Sequence, residues 1–202
     1  VLSFAMDIMC QMGHVERAER IHDIVVKQRL PVPLFAVQGA LSQMATALGE
    51  TDAAATLRER GRNWRRVWDA DVADTGSEFK GFPRPRIEGG GFYVPAHGSY
   101  DPRSNHGFHE GTAWQYQWLV QQDVPGLVEA MGGRAAALRR LDAFFAHDAL
   151  AKDVQGGARE HWVVGPYSYY NQFRYNPNNE PDLHVPWMYT LLGQPWKTAT
   201  VA

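Results

Sequence analysis

An acid followed by two evenly spaced tryptophans is the stretch of this sequence best suited to carry chemistry. Glu110 stands where a loop rich in glycine and proline ends, and Trp114 and Trp118 follow it at four-residue intervals. If the stretch is helical, the three side chains share one face. One interpretation is a core helix whose first-turn acid complements the helix dipole. The other is a carboxylic acid in an aromatic sugar pocket, where apolar surroundings raise its pKa.

A second group of polar residues lies near the carboxyl end of the chain and is rich in oxygen. It consists of Asn178, Asn179, Glu180 and Asp182. Amide and carboxylate oxygens are the ligands that calcium selects, although the spacing is not that of an EF-hand loop. Asn-Pro and Asp before an apolar stretch are also typical of an Asx turn and a helix cap. Both interpretations are open at this point.

Histidines beside Glu110 raise the question of a transition-metal site. His106 and His109 precede the acid, but no histidine follows it at the spacing of the zinc-protease motif. We therefore expect these histidines to cap the helix or to contact a substrate. The sequence also lacks the Gly-x-Ser-x-Gly nucleophile motif and the glycine-rich motifs that bind dinucleotides or phosphates.

Composition narrows the function classes. The 202 residues carry a formal net charge of −2, which gives no electrostatic basis for nucleic-acid binding. No apolar run reaches the length of a membrane span, and the single cysteine, Cys10, cannot form an internal disulfide. Aromatic residues make up 12% of the chain and include 7 Trp, an excess found on carbohydrate-binding surfaces and in large cores.

Apolar spacing and glycine stops predict a mainly α fold in a single domain over residues 1–202. Three predicted helices end at Gly13, Gly49 and Gly132, and each is followed by a helix rich in alanine, arginine and glutamate. This weak repeat predicts stacked helical hairpins, as in a solenoid or an α/α toroid. Because the tetratricopeptide signature is absent, the toroid is the better interpretation.

Two long segments, 71–108 and 148–182, are predicted to be irregular loops at the active site. A loop of this length inside a domain is usually functional or disordered. The aromatic residues of the first segment favour order, since disordered segments are poor in aromatics. We expect an ordered lid over 71–108 that could contain short strands.

Several motifs taken together resemble glycoside hydrolase family 92, the calcium-dependent exo-acting α-mannosidases. The resemblance runs from about residue 40 to the end of the chain, whereas residues 1–36 show a helical pattern and none of these motifs. The segments that carry it are Glu-Gly-Thr-Ala-Trp-Gln-Tyr at 110–116, Val-Pro-Gly-Leu-Val at 124–128, Met-Gly-Gly at 131–133, Asn-Asn-Glu-Pro at 178–181 with His184, Pro186 and Trp187, and Gly-Gln-Pro-Trp-Lys-Thr at 193–198.

The resemblance implies an inverting glycosidase whose general acid is Glu110. It also implies that Asn179 and Glu180 help to hold a calcium ion. In such an enzyme one protonated carboxyl group protonates the leaving oxygen, and a carboxylate activates water on the opposite face of the sugar. A glutamate at a helix N-terminus would have a lowered pKa, so desolvation by the neighbouring aromatic side chains must outweigh the helix dipole.

The resemblance further implies a substrate and a pocket. Trp114, Gln115 and His184 would line the pocket, and the substrate would be a mannose-containing oligosaccharide or glycan with an α-1,2 linkage. The implied fold is an (α/α)6 toroid packed on a β-sandwich. The implied location is outside the cell or in the periplasm.

The general base of the family lies in an aspartate-rich motif downstream of the Pro-Trp-Lys-Thr segment. No such motif follows residue 198 here, and no β-sandwich precedes the helices. We therefore expect the chain to be a slice of a catalytic domain that works with flanking regions of the same enzyme. Alone, it is expected to have little or no activity.

Two other function classes stay open. The first is a non-catalytic helical-repeat interaction module or carbohydrate-binding module that has kept the aromatic loop. Chelation separates it from the enzyme, whose sugar binding would require calcium. The second is another toroidal glycosidase, of the trehalase or glucoamylase type, which a panel of substrates would distinguish.

Overall fold

The computed structural model describes residues 34–96, 98–163 and 172–202, and within these ranges the chain is mainly helical, as predicted. The first predicted hairpin and Cys10 lie outside the described residues. None of the helices in these ranges combines the length and the hydropathy that a membrane span requires.

The regular elements of the described residues are α-helices and one pair of consecutive strands. In chain order they are α1 (Leu34–Ala47), α2 (Thr51–Gly61), β1 (Trp68–Ala73), β2 (Lys80–Pro83), α3 (Ala113–Tyr116), α4 (Val124–Ala130), α5 (Arg134–Phe145), α6 (His147–Leu150), α7 (Val154–His161), α8 (Met188–Leu191) and α9 (Pro195–Val201). Short 3₁₀ helices lie at Arg62–Val67, Gln121–Asp123, Glu180–Asp182 and Val185–Trp187.

The described residues divide into two compact units, one formed by 34–66 with 120–124 and the other by 67–119 with 125–202. In the first unit α1 and α2 pack as the predicted helical hairpin. Gly49, with φ of 78°, makes the tight turn between them. The Ser42 hydroxyl donates to the Ala54 carbonyl at 3.0 Å and joins the two helices.

The core of the second unit is aromatic. Trp114 and Trp118 are both 0% exposed. The Trp114 ring lies 5.6 Å from Phe79 and 5.3 Å from Phe82, and the Trp118 ring lies 6.1 Å from Phe144 on α5. Burial of these aromatic side chains stabilises this unit, since apolar surface is removed from water.

The segment 71–108 contains β2 and the end of β1, in agreement with the expectation that it could contain short strands. β1 and β2 pair antiparallel, with Asp69 opposite Phe82 and an irregularity after Asp69.

Beyond the strands, the Asp74 carboxylate accepts hydrogen bonds from Arg103 Nε and Nη2 at 2.7 and 2.9 Å. Burial raises the pKa of Asp74, but hydrogen bonds from Arg103, Ser77 and the Gly76 amide outweigh it and leave this pKa below its ordinary value. The ion pair connects Asp74, just after β1, to Arg103, which lies in the segment that leads to Glu110.

The prediction of an irregular loop over 148–182 is wrong for its first part, where α6 and α7 form. Asp153 caps α7 by accepting from the Gly156 amide at 3.0 Å. A Cβ at Gly157 would lie 3.0 Å from the backbone of Ala149 and Leu150, so this glycine permits close packing of α7 against α6. Gly157, a residue type that is typical of loops, is here required for helix packing.

Candidate active site

Glu110 lies in a turn before α3 and not in the first turn of a helix, so the predicted helical face shared with Trp114 and Trp118 is wrong. Its φ is 58°, a left-handed conformation that is uncommon for a residue other than glycine. The Glu110 side chain is 42% exposed, and its Oε1 lies 3.2 Å from Nε2 of the more exposed His109. The turn therefore presents the carboxyl group to solvent.

The residues after Glu110 explain why the helix starts so late. Thr112 is the extended N-cap of α3, and the Gln115 side-chain oxygen accepts from the Thr112 amide at 2.8 Å. A Cβ at position 111 would lie 2.9 Å from this oxygen and 3.1 Å from the Tyr116 ring, so Gly111 is needed for space. Much of the Glu-Gly-Thr-Ala-Trp-Gln-Tyr motif thus builds the turn that carries the acid.

Two hydrogen bonds hold the peptide groups on either side of Glu110. The Tyr116 hydroxyl donates to the His109 carbonyl at 2.6 Å, and the Asn179 side-chain amide donates to the Glu110 carbonyl at 2.5 Å. A left-handed conformation costs roughly 1–2 kcal/mol, and a hydrogen bond contributes about 0.5–1.5 kcal/mol net. Together the two bonds contribute about 1–3 kcal/mol, which is enough to offset a strain of this size.

The oxygen-rich segment forms an Asx turn, as one of its two interpretations predicts. The Asn178 amide donates to Asn176 Oδ1 at 3.0 Å, and the Asp182 amide donates to the Asn179 carbonyl at 3.0 Å. The Asp182 carboxyl closes the turn, since its Oδ2 accepts from the Asn176 amide at 2.8 Å. The turn brings Asn179 and Glu110 together although they are far apart in sequence.

Asp182 is an unusual group in this turn because it is fully buried. Burial raises its pKa well above the ordinary value, against the opposing effect of the Asn176 amide. Its Oδ1 has no hydrogen-bond partner among the described residues. Burial also raises the pKa of Tyr116, and the nearby charges of Glu110 and Asp182 add to this effect. The Tyr116 hydroxyl therefore stays protonated and able to donate.

The donor chemistry of the turn fits a hard cation only in part. Asn179 is 5% exposed and Glu180 is exposed, and both carry oxygen atoms of the kind that calcium binds. The Asn179 nitrogen is directed at Glu110, which leaves its Oδ1 as the atom available to a cation. Within the described ranges no group of three His, Cys, Asp or Glu side chains could hold a metal ion. Calcium takes six to eight ligands, so these residues alone do not complete a site.

Trp114 and Gln115, two of the predicted pocket residues, are both 0% exposed. The Trp114 ring packs on Phe173 at 5.2 Å in addition to the core rings, and its Nε1 has no hydrogen-bond partner in the part of the chain that the structure describes. The Gln115 amide donates to the Arg174 carbonyl at 3.1 Å. Both side chains support the turn from within, and direct contact with a sugar stays a prediction.

His184, the third predicted pocket residue, is 8% exposed. Its Nε2 donates to the Trp118 carbonyl at 2.7 Å, which fixes the neutral tautomer with the proton on Nε2. Burial lowers the pKa of His184 to about 4. The structure does not bring His184 into contact with Glu110 through any described hydrogen bond, so its substrate role also stays a prediction.

We expect acid to destabilise the fold through His184. Its pKa is about 4 in the folded chain and about 6.5 in an unfolded one. The unfolded state therefore takes up a proton first, and stability is lost as the pH falls from about 6.5 to about 4. The free energy of unfolding from urea titrations at pH 7 and pH 4.5 should fall by up to about 3 kcal/mol more in the wild type than in His184→Gln. Equal losses in both proteins would contradict the assignment.

Sequence reasoning missed two residues of this site. Tyr116 lies within the matched motif, but the motif does not indicate a hydrogen-bonding role for it, although a tyrosine hydroxyl usually finds a partner when buried. Asp182 belonged to the oxygen-rich group, but only the folded turn shows that its carboxyl points inward. No sequence signal shows which carbonyl groups these side chains contact.

The sequence over residues 37–202 matches the glycosyl hydrolase family 92 catalytic domain. The chain belongs to this family, as the motifs indicated. No curated protein matches it.

Solved structures of the same family are similar to the chain. A GH92 family glycosyl hydrolase, ccman5, is 30% identical with a TM-score of 0.53, over 81% of this chain and 19% of that one. A family GH92 α-mannosidase from Bacteroides thetaiotaomicron is 25% identical with a TM-score of 0.55, over 81% of this chain and 18% of that one. Its complex with mannoimidazole has the same fold at 24% identity, with a TM-score of 0.54 and 81% and 20% coverage. The chain thus spans about a fifth of the length of each.

Proposed function

We propose that the chain is part of the catalytic domain of an exo-acting α-mannosidase with Glu110 as its general acid. The observation that carries the proposal is the placement of Glu110. In a chain of family 92, this carboxyl group is presented to solvent from a turn whose backbone is held on both sides. A general acid needs a fixed position and access from solvent for the substrate, and the held backbone and exposed carboxyl group of Glu110 support this role.

The proposed reaction is a single displacement with inversion. Glu110 gives its proton to the glycosidic oxygen as the bond from that oxygen to the anomeric carbon breaks. A water molecule forms the new bond to this carbon from the opposite face and loses its proton to a carboxylate base. We propose that the base comes from further regions of the same enzyme, and that the helical hairpins are part of an (α/α)6 toroid.

Calcium is part of the proposal, with Asn179 and Glu180 among its ligands and the others from outside the described residues. When bound, the ion would engage sugar hydroxyls and contribute positioning and charge stabilisation. We further propose a mannose-containing glycan with an α-1,2 linkage as substrate and a secreted or periplasmic enzyme. The α-mannosidase and mannoimidazole named among the similar structures support the sugar class.

The product of the complete open reading frame should release mannose from α-1,2-mannobiose, and a chelator should lower this rate. A loss of several kcal/mol of transition-state stabilisation corresponds to a fall on the order of a hundredfold or more. Chromatographic detection of mannose with calcium, with chelator and after calcium is restored measures it. If the chelator left the rate unchanged, the proposed role of calcium in the reaction would be wrong. If no sugar were released from any α-mannoside or other α-glycoside, the proposal that the protein is a glycosidase would be wrong.

The alternative is a non-catalytic helical interaction or carbohydrate-binding module. It is favoured by two exposed indoles, since Trp187 is 55% and Trp196 is 63% exposed. Exposed aromatic rings are common where proteins bind sugars or partners. Sugar binding without turnover, and unaffected by chelation, would support this alternative over the mannosidase.

A further inference from the structure

The backbone of Glu110 is held from two directions, and this determines the direction in which its side chain leaves the chain. The peptide groups before and after a Cα atom define the two torsions of that residue, since the peptide itself is planar. Tyr116 holds the preceding group through the His109 carbonyl, and Asn179 holds the following group through the Glu110 carbonyl. Neither torsion of Glu110 can change without breaking one of these bonds.

The two side chains that form these bonds are themselves held in place. The Tyr116 ring belongs to α3 and lies 4.9 Å from the Phe108 ring. Asn179 is 5% exposed. Its backbone amide donates to the Asn176 carbonyl at 3.2 Å, and its backbone carbonyl accepts from the Asp182 amide at 3.0 Å. Both anchors therefore lie in ordered structure. They can impose a conformation on Glu110 that its own sequence does not favour.

We propose that Tyr116 and Asn179 are positioning residues that hold Glu110 in its left-handed conformation and thereby aim its carboxyl group at the leaving oxygen. The proposal rests on the proposed function, because the aim of the carboxyl group matters only if Glu110 is the acid. It gives Asn179 a role as a donor to the acid's own backbone, which is distinct from any role of its oxygen as a metal ligand.

Substitution of Asn179 by aspartate separates the two roles of this side chain. Asn179→Asp keeps an oxygen for a cation but replaces the N–H donor by a second acceptor that repels the Glu110 carbonyl. Tyr116→Phe removes the other donor and keeps the ring. Asn178→Asp is the matched control, since it adds the same charge one residue away, at an exposed position.

The first measurement reads the backbone of residue 110 without any assay of activity. The ¹³Cα and ¹⁵N chemical shifts of Glu110 in the product of the complete reading frame should report the left-handed conformation in the wild type and in Asn178→Asp. They should move away from it in Asn179→Asp and in Tyr116→Phe. An unchanged residue 110 in both variants would overturn the proposal, even if one of them also lowered the stability.

The second measurement compares a disaccharide with an aryl α-mannoside whose leaving group departs without protonation. A misaimed acid should lower kcat on the disaccharide by about tenfold to a hundredfold in Asn179→Asp and Tyr116→Phe. KM should change little, and the aryl substrate should be affected about threefold or less because it needs no acid. Equal losses on both substrates would overturn the positioning role and leave a structural one.

Calcium binding, measured by titration calorimetry with the ion alone, completes the distinction. If Asn179 acts only as a ligand, Asn179→Asp keeps or raises calcium affinity and leaves residue 110 unmoved, which overturns the proposal. If residue 110 moves but the wild-type protein turns over no glycoside, the proposed function fails and the control of Glu110 by these two side chains stands.

Discussion

Glu110→Gln is expected to lower mannose release from α-1,2-mannobiose by about 10²- to 10⁴-fold, which is the contribution of a general acid. Glutamine keeps the size of the side chain and the backbone at position 110, so both hydrogen bonds to the flanking carbonyls can remain. It has no proton that it can give to a leaving oxygen. The loss should appear in kcat for the disaccharide, with little loss for an aryl mannoside whose leaving group departs unaided.

Glu160→Gln is the matched control for this substitution, because the Glu160 side chain is 76% exposed in the same unit of the chain. Its activity should stay within about twofold of the wild type, as expected for an exposed position away from the site. Both variants are assayed in the product of the complete reading frame. If Glu110→Gln retained the activity of Glu160→Gln on the disaccharide, Glu110 would not be the acid.

The second large effect concerns stability. Trp114→Ala should lower the free energy of unfolding by about 3–5 kcal/mol, the usual result of emptying a buried aromatic site. Trp114 is 0% exposed and packs on Phe79, Phe82 and Phe173. The substitution therefore leaves a cavity between packed rings that water does not reach from the surface. Urea unfolding monitored by circular dichroism measures the change and reports α-helix loss directly.

Trp196→Ala is the control, since the Trp196 side chain is 63% exposed and should change the free energy of unfolding by about 0.5 kcal/mol or less. Trp114→Phe separates packing from sugar recognition. It retains most of the buried ring and removes an Nε1 that has no partner among the described residues, so the fold should survive. A stable Trp114→Ala variant that had lost only sugar affinity would show that Trp114 belongs to the pocket and not to the core.

Patterns of apolar residues and glycine stops were enough to predict the helices in the described part of the chain. The α1–α2 hairpin and the two helices on either side of Gly132, α4 and α5, are confirmed. They depend on local spacing, which the sequence displays directly. The prediction is wrong at α7, where Gly157 permits close packing of a helix and does not mark a loop. It is also wrong at Glu110, because α3 begins three residues later, at Ala113.

The family and the identity of the proposed acid followed from residue types and their order, because motifs of catalytic residues persist in sequence. What Glu110 requires to act was decided by tertiary structure. Its left-handed backbone depends on Asn179, which lies 69 positions away, and on a tyrosine hydroxyl that reaches back to a carbonyl group. The acceptors of these bonds are backbone carbonyl groups, which every residue possesses, so no residue pattern indicates them. Only the folded chain brings the donors and acceptors within reach.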